Sequence, residues 1–195
     1  KTFYYVDHAY VDSGHDRMNK RNASVGKQAI TWYRIIKNDH QIKHWGMPMP
    51  QIQSSDRLEK YFDIEIKPKR DMGDIVLILP PTNAIKTFFN CENWTDQMLA
   101  KYKGQKCVVR EKPYNPPMQI TTKGYMDKID TPTDNSGGSI SEVLANTKKV
   151  VTYNSNSLVS AIIDGIDVEA SANSCWSIYD GDAETWLKYL VHCQY

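Results

Sequence analysis

The hydrophobic pattern of the chain changes character near residue 70. Before that point apolar residues come in short aromatic and β-branched runs. Residues 2–10 (TFYYVDHAY) and 29–37 (AITWYRIIK) both read as strands. Between them, residues 12–26 are polar and basic with no apolar period, as in a surface loop. Residues 40–53 carry Pro and His and read as irregular, and residues 57–62 as a short turn of helix. Residues 67–73 (KPKRDMG) are a charged Pro/Gly linker. They mark the best boundary, with lobes over 1–70 and 71–195.

After the linker, residues 74–80 (DIVLILP) are continuously apolar, as a strand buried on both faces should be. Within 82–103, Trp94, Met98 and Tyr102 recur every four residues on one face of a helix, and Gly104 follows as a stop. Residues 106–111 (KCVVRE) predict a strand and 114–138 a long irregular connection. Ser139 and Glu142 are spaced as a capping box for a helix over 139–146. Residues 148–153 predict a strand. Residues 155–164 predict a helix with Leu158, Ala161 and Ile162 on one face, ended by Gly165. Residues 166–169 predict a short strand, and 182–193 a helix with Trp186, Leu187, Leu190 and Val191 inward. Strands alternating with helices over short connections imply a parallel sheet with crossover helices. The expected fold class is α/β: a Rossmann-like C-terminal lobe preceded by a partial, β-rich N-terminal lobe.

Composition narrows the function classes. The chain has 195 residues, 41% hydrophobic and 24% charged, which is ordinary for a globular protein. Its net charge of +1 gives no bulk attraction to nucleic acid or anionic lipid. Lys67, Lys69 and Arg70 are the best candidates for a local basic patch. Cys91, Cys107, Cys175 and Cys193 are scattered, without metal-ligand spacing, so no metal site is expected. They read as free thiols of a reducing cytosol, with Cys107 and Cys193 as small buried hydrophobes. The longest apolar run, residues 75–79, is far short of a membrane span, and no signal peptide precedes the first strand. The expected location is therefore cytoplasmic. A start at Lys1, and an end at Tyr195 within a predicted helix, are read as cut or processed ends.

In open parallel sheets, ligands sit beyond the carboxyl ends of the strands. That rule selects residues 80–83, 110–113 and 153–157. Asn154, Ser155, Asn156 and Ser157 stand between a strand and a helix, where backbone N–H groups and short polar side chains can hold a phosphate. An ordinary N-cap uses the same residue types. Arg110 and Lys112 leave the neighbouring strand on the same edge and could neutralise that phosphate, though either alone reads as a solvated charge. In the N-terminal part, Asp7 and His8 set a carboxylate beside an imidazole. Adjacent strand residues point to opposite faces, so the two cannot form a simple dyad. Arg34 is ambiguous. Tyr4, Tyr5, Tyr10, Trp32 and Tyr33 are expected in the core. The Gly-rich nucleotide loops, the nucleophile elbow and the zincin helix motif do not occur.

Residues 139–170 (SISEVLANTKKVVTYNSNSLVSAIIDGIDVEA) resemble the C-terminal lobe of capsule-polysaccharide-type glycosyltransferases of the GT-B fold, a group with Kdo-transferase-like and phage-encoded relatives. Asn154, Ser155 and Gly165 match that family's strand, Asn-Ser turn, helix and Gly pattern. VVREKP and WLKYLVHCQ resemble two further family elements, and FYYVDHAY and WYRIIKN resemble segments of phage members. The family's His in the first of these is Lys112 here, and its helical Glu is Ser160.

The resemblance implies a two-lobed, metal-independent enzyme that moves a sugar from a nucleotide-sugar co-substrate to an acceptor hydroxyl, on a surface glycan or a modified phage DNA base. It implies no other cofactor. Arg110, Lys112, Asn154, Ser155, Asn156 and Ser157, with Arg34, would bind the donor, and Asp7 or His8 would be the general base. The replaced Glu and the short N-terminal lobe leave a rival open. In it the chain is a non-catalytic nucleotide-binding or partner-binding module derived from such a lobe.

Overall fold

A computed structural model describes residues 2–11, 32–42, 52, 55–111 and 140–195. The expected loop over 12–26, most of the stretch 40–53, the connection 114–138, Lys112 and the Ser139 cap lie outside the described residues. The chain divides into two units. The first comprises Lys1–Lys67, Ile162–Asp164 and Ser171–Tyr195, and the second Pro68–Ala161 and Gly165–Ala170.

In the first unit, β1 (Tyr4–His8) pairs antiparallel with β2 (Tyr33–Lys37), with Val6 opposite Ile35 and Asp7 opposite Arg34. Alternation puts Tyr5, Asp7, Arg34 and Ile36 on one face and Tyr4, Val6, His8, Tyr33 and Ile35 on the other. The first face is covered at Ile36 and Arg34, with 8% and 2% exposure, but not at Tyr5, which is 36% exposed. The second is open, and Tyr4 is 64% and Tyr33 44% exposed. Trp32 is only half-buried, and Tyr4, Tyr5 and Tyr33 are not the core residues expected from their type. Tyr10 is: its hydroxyl donates to Gln41 Oε1 at 2.8 Å and accepts from the Ile42 N–H at 3.0 Å.

The C-terminal end completes this unit. The α1 helix (Arg57–Tyr61) packs against α6 (Ala183–His192), and Lys188 bridges Glu59 at 3.1 Å and Glu184 at 2.9 Å. Asp182 caps α6 by accepting from the N–H groups of Glu184 and Thr185, as its place before the apolar run dictates. Trp186, Leu187, Leu190 and Val191 are all fully buried. Each contributes about 1.5–3 kcal/mol of hydrophobic stabilisation. A 3₁₀ turn at Cys175–Ile178, absent from the sequence reading, presents the Cys175 carbonyl to Trp186 Nε1 at 3.0 Å. Past α6 the chain turns extended and lies beside β2. Tyr33 and Tyr195 exchange two backbone hydrogen bonds, at 3.0 and 2.8 Å. The Gln194 side chain, itself fully buried, exchanges two more with the backbone of Val11. These bonds tie Ser171–Tyr195 to the N-terminal strands, whereas sequence alone places those residues with the lobe over 71–195.

The second unit is an α/β sheet of four parallel strands: β3 (Ile75–Leu79), β4 (Lys106–Val109), β5 (Thr147–Thr152) and β6 (Asp167–Ala170), in spatial order β4-β3-β5-β6. The continuous apolar runs produce this arrangement, because Val76, Leu77, Ile78, Val150 and Val151 are buried on both faces of the sheet. One face carries a cluster of Val76, Ile78, Cys107, Val109, Val151 and Tyr102, packed by Trp94, Met98 and Leu99. The helical stretch after β3 is not one helix. It breaks into α2 (Asn83–Phe89) and α3 (Trp94–Lys101), because Asn90 adopts a left-handed conformation with φ of 52° and ends α2. The remaining helices are α4 (Ile140–Leu144) and α5 (Ser157–Ile163); Leu158 and Ala161 are buried as their spacing predicts, and Gly165 follows α5 with φ of 72°. No helix among the described residues is long and apolar enough to cross a membrane.

Arg70 is no part of a solvated basic patch. Its guanidinium donates to the carbonyls of Leu144 and Thr147, closing the exposed end of α4, and Lys67 pairs with Asp164 at 2.5 Å. All four cysteines are free thiols. Burial pushes the thiol of Cys175 up to about 12 and that of Cys193 up to about 11, which keeps both protonated and inert.

Candidate functional site

The strand order locates a candidate ligand crevice in the second unit. After β3 the chain crosses to β4 on one side. After β5 it crosses to β6 on the other. Adjacent strands whose connections diverge leave a cleft beyond their carboxyl ends, a rule that points here to the ends of β3 and β5, at Leu79 and Thr152. Thr152 Oγ1 joins these ends, donating to the Leu79 carbonyl at 3.1 Å and accepting from the Ser155 N–H at 3.2 Å.

Three of the selected segments converge on this edge. Residues 80–83 follow β3, with Thr82 and Asn83 exposed. Arg110 follows β4, and its N–H continues the ladder to the Ile78 carbonyl at 2.9 Å. It is only 8% exposed, so it is not the solvated charge that its neighbours in sequence suggest. A guanidinium so far from water requires polar partners, and Arg110 has further interactions with its surroundings. Asn154, Ser155, Asn156 and Ser157 follow β5, all half-buried. Ser155 Oγ accepts from the Ser157 N–H at 3.3 Å and lies 3.2 Å from Ser157 Oγ. Ser155 therefore performs the capping role that its residue type allows.

In the first unit, Asp7 and His8 separate as the strand period requires. Asp7 accepts from Arg34 Nη2 at 2.6 Å through one oxygen and from the His8 N–H at 2.7 Å through the other. Arg34 is held between this carboxylate and the Tyr10 ring, 4.6 Å from its centroid. His8 stacks on Tyr33 across the strand pair, with ring centroids 6.1 Å apart and planes at 22°. The carboxylate is thus engaged on both oxygens, and the imidazole lies on the opposite face with the exposed aromatic side chains.

A second feature of the strand-tip edge escaped the sequence reading. The turn between α2 and α3 and the residue after β5 enclose a pocket of about 400 Å³, lined among others by Asn90, Glu92, Asn93, Trp94, Gln97 and Tyr153. Trp94 meets Tyr153 edge-on with centroids 5.9 Å apart, and Phe89 stands 5.7 Å from the same tyrosine. The four-residue period marks Trp94 as a helix residue facing the sheet. Nothing local to residues 90–97 signals that Tyr153 closes the other wall.

The sequence matches no protein family and no curated protein. Among solved structures the chain is similar to KpsC, the beta Kdo 2,7 transferase of Thermosulfurimonas dismutans. The identity is 11% and the TM-score 0.51, over 98% of this chain and 70% of that one. At that identity the likeness speaks for the fold alone: this chain has a distantly glycosyltransferase-like α/β fold, whose four-stranded parallel sheet is consistent with a Rossmann-like lobe.

Proposed function

We propose that the chain is a GT-B-type glycosyltransferase, transferring a sugar from a nucleotide-sugar donor to an acceptor hydroxyl on a surface glycan or a phage DNA base. The observation that carries this reading is the divergence of connections at β3 and β5, which marks the strand ends at Leu79 and Thr152, with Arg110 after β4 and residues 154–157 after β5, as the place for a ligand crevice. Arg110 would neutralise the leaving phosphate, and Lys112 would assist it. The amides of Asn154 and Asn156 and the hydroxyls of Ser155 and Ser157 would donate to the phosphate oxygens. Helix-end donors and a guanidinium can stabilise such a leaving group without a metal ion.

Of the two base candidates, His8 fits a proton-transfer role better, because both oxygens of Asp7 already accept hydrogen bonds. Arg34, expected at the donor, would instead position Asp7.

The same occupancy of Asp7 favours the second reading, a binding module that retains the crevice without the transfer chemistry. Two measurements separate them. Donors linked to UDP, CMP or GDP are tested for thermal stabilisation, where binding at a hundred times Kd adds about 2.7 kcal/mol. Hydrolysis and transfer are then followed for the wild type, His8→Ala and Asp7→Asn. Stabilisation with His8-dependent turnover supports the enzyme. Stabilisation without turnover supports the module. A nucleotide panel with no stabilisation removes both.

A further inference from the structure

The pocket between the α2–α3 turn and Tyr153 has a chemistry unlike that of the crevice. We propose that it is a saccharide subsite that takes one neutral, hydroxyl-rich ring. Half-buried Trp94 supplies an aromatic wall, and the Tyr153 ring, only 7% exposed, packs nearly perpendicular to it at 87° and holds it in place. The weakly polar C–H face of a pyranose can lie against such a wall. Asn90, Asn93 and Gln97 add three amides to the lining. Each amide both donates and accepts, as each sugar hydroxyl does, and Glu92 adds an acceptor. None of the lining residues is cationic, so the pocket does not suit a phosphate. A volume of about 400 Å³ is near the lower end for small-molecule sites and matches one ring with attendant water, not a whole sugar nucleotide.

The walls are preformed. Asn90 closes α2 in its left-handed conformation, the Cys91 N–H donates to the Lys86 carbonyl at 3.0 Å, and the Trp94 N–H donates to the Cys91 carbonyl at 3.2 Å. A turn fixed in this way presents its side chains with little ordering left to do on binding.

The proposal deepens the transfer reading, since a sugar is the group that would move, and it rests on that reading only for the ring's origin. The test uses the full chain labelled with 5-fluorotryptophan. The Trp94 ¹⁹F resonance is assigned through Trp94→Phe and followed against the methyl glycosides of glucose, galactose and mannose, and separately against CMP and UDP. At least one glycoside should shift the resonance saturably, with a Kd on the order of 1 mM. Asn93→Ala and Gln97→Ala alter exposed positions that leave the core intact, and each should weaken that binding about tenfold. A sugar nucleotide that competes with the glycoside marks the ring as the donor's; one that binds alongside it marks the ring as the acceptor's. No shift by any glycoside up to about 100 mM, or a shift by CMP or UDP alone, overturns the proposal. A glycoside shift without nucleotide stabilisation keeps the subsite and sinks the transfer reading. Nucleotide stabilisation without a glycoside shift does the reverse.

Discussion

Thr152 Oγ1 donates to the carbonyl of Leu79 at 3.1 Å, joining the tips of β3 and β5 where their connections diverge. Both residues are buried, Thr152 completely. The same oxygen accepts from the Ser155 N–H and so sets the start of the turn that carries Asn154 to Ser157. Replacing Thr152 by the near-isosteric Val removes both bonds without opening a cavity. The expected loss of stability is about 1–3 kcal/mol, the cost of leaving buried polar groups unpaired. Urea unfolding checks it, and a loss below about 0.5 kcal/mol would show that the clip is dispensable.

Arg34 and Asp7 form the buried ion pair of the first unit, with side-chain exposures of 3% and 33%. Arg34→Met preserves the contact with Tyr10 but strands the carboxylate. Breaking a buried pair costs about 3–5 kcal/mol, and the water that reaches Asp7 places this one near the lower figure. Asp7→Asn should cost less, since the amide oxygen can still accept from Arg34. Chemical denaturation of both variants gives the order, and equal losses would contradict the asymmetry.

Gly73 adopts φ of +101°, and a Cβ there would lie 2.5 Å from the Asn146 carbonyl oxygen. Gly104 has φ of +87° with open space around it. The strain is therefore shared and the clash is not. Gly104→Ala should lose about 1 kcal/mol and Gly73→Ala about 2–3 kcal/mol. A comparison of melting temperatures tests the difference, which vanishes if the backbone near Asn146 yields freely.

Glu169 accepts from Lys101 Nζ at 2.6 Å and from the Tyr102 hydroxyl at 2.7 Å. Burial works to raise its pKa, but these two hydrogen bonds outweigh it and hold the carboxyl below the ordinary glutamate value. A depressed folded pKa means that the unfolded chain binds the proton more readily. The stabilisation is complete above about pH 4.3, the unfolded value, and is lost as pH falls through the lower folded value. Glu169→Gln should flatten the stability profile below that point while changing it little in shape near neutrality. Urea midpoints of wild type and variant between acid and neutral pH check the sign, and parallel profiles would refute it.

The elements themselves were legible in the sequence because their signals are local. DIVLILP and KKVVTY are built around the apolar run Ile75–Leu79 and the apolar pair Val150 and Val151, as buried strands require, and β3 and β5 fall within one residue of those segments. Trp186, Leu187, Leu190 and Val191 share one helical face, and all four are buried. Asp182 stands where an N-cap should, and it caps. The break at Asn90 was not legible, because the helical period of Trp94, Met98 and Tyr102 begins only after it and says nothing of where the preceding helix ends. Of the candidate site, the segments at the strand ends could be selected, since the rule that selects them needs only strand boundaries.

Tertiary structure decided the rest. The order β4-β3-β5-β6, which makes Leu79 and Thr152 neighbours, depends on which strand pairs with which, and period carries no information about partners. Residues 193–195 follow a helix in sequence, yet they lie beside β2 because backbone groups left over at its edge bond equally well to any extended segment within reach. The pairing of Arg34 with Asp7, the bond of the Arg110 N–H to Ile78 and the closing of a pocket by Tyr153 against Trp94 are contacts between residues 27, 32 and 59 positions apart. Sequence determined which residues are able to bury, cap or pair. Only the fold determined which of them meet, because the free energy of those contacts arises from side chains brought together across the chain and not from neighbours along it.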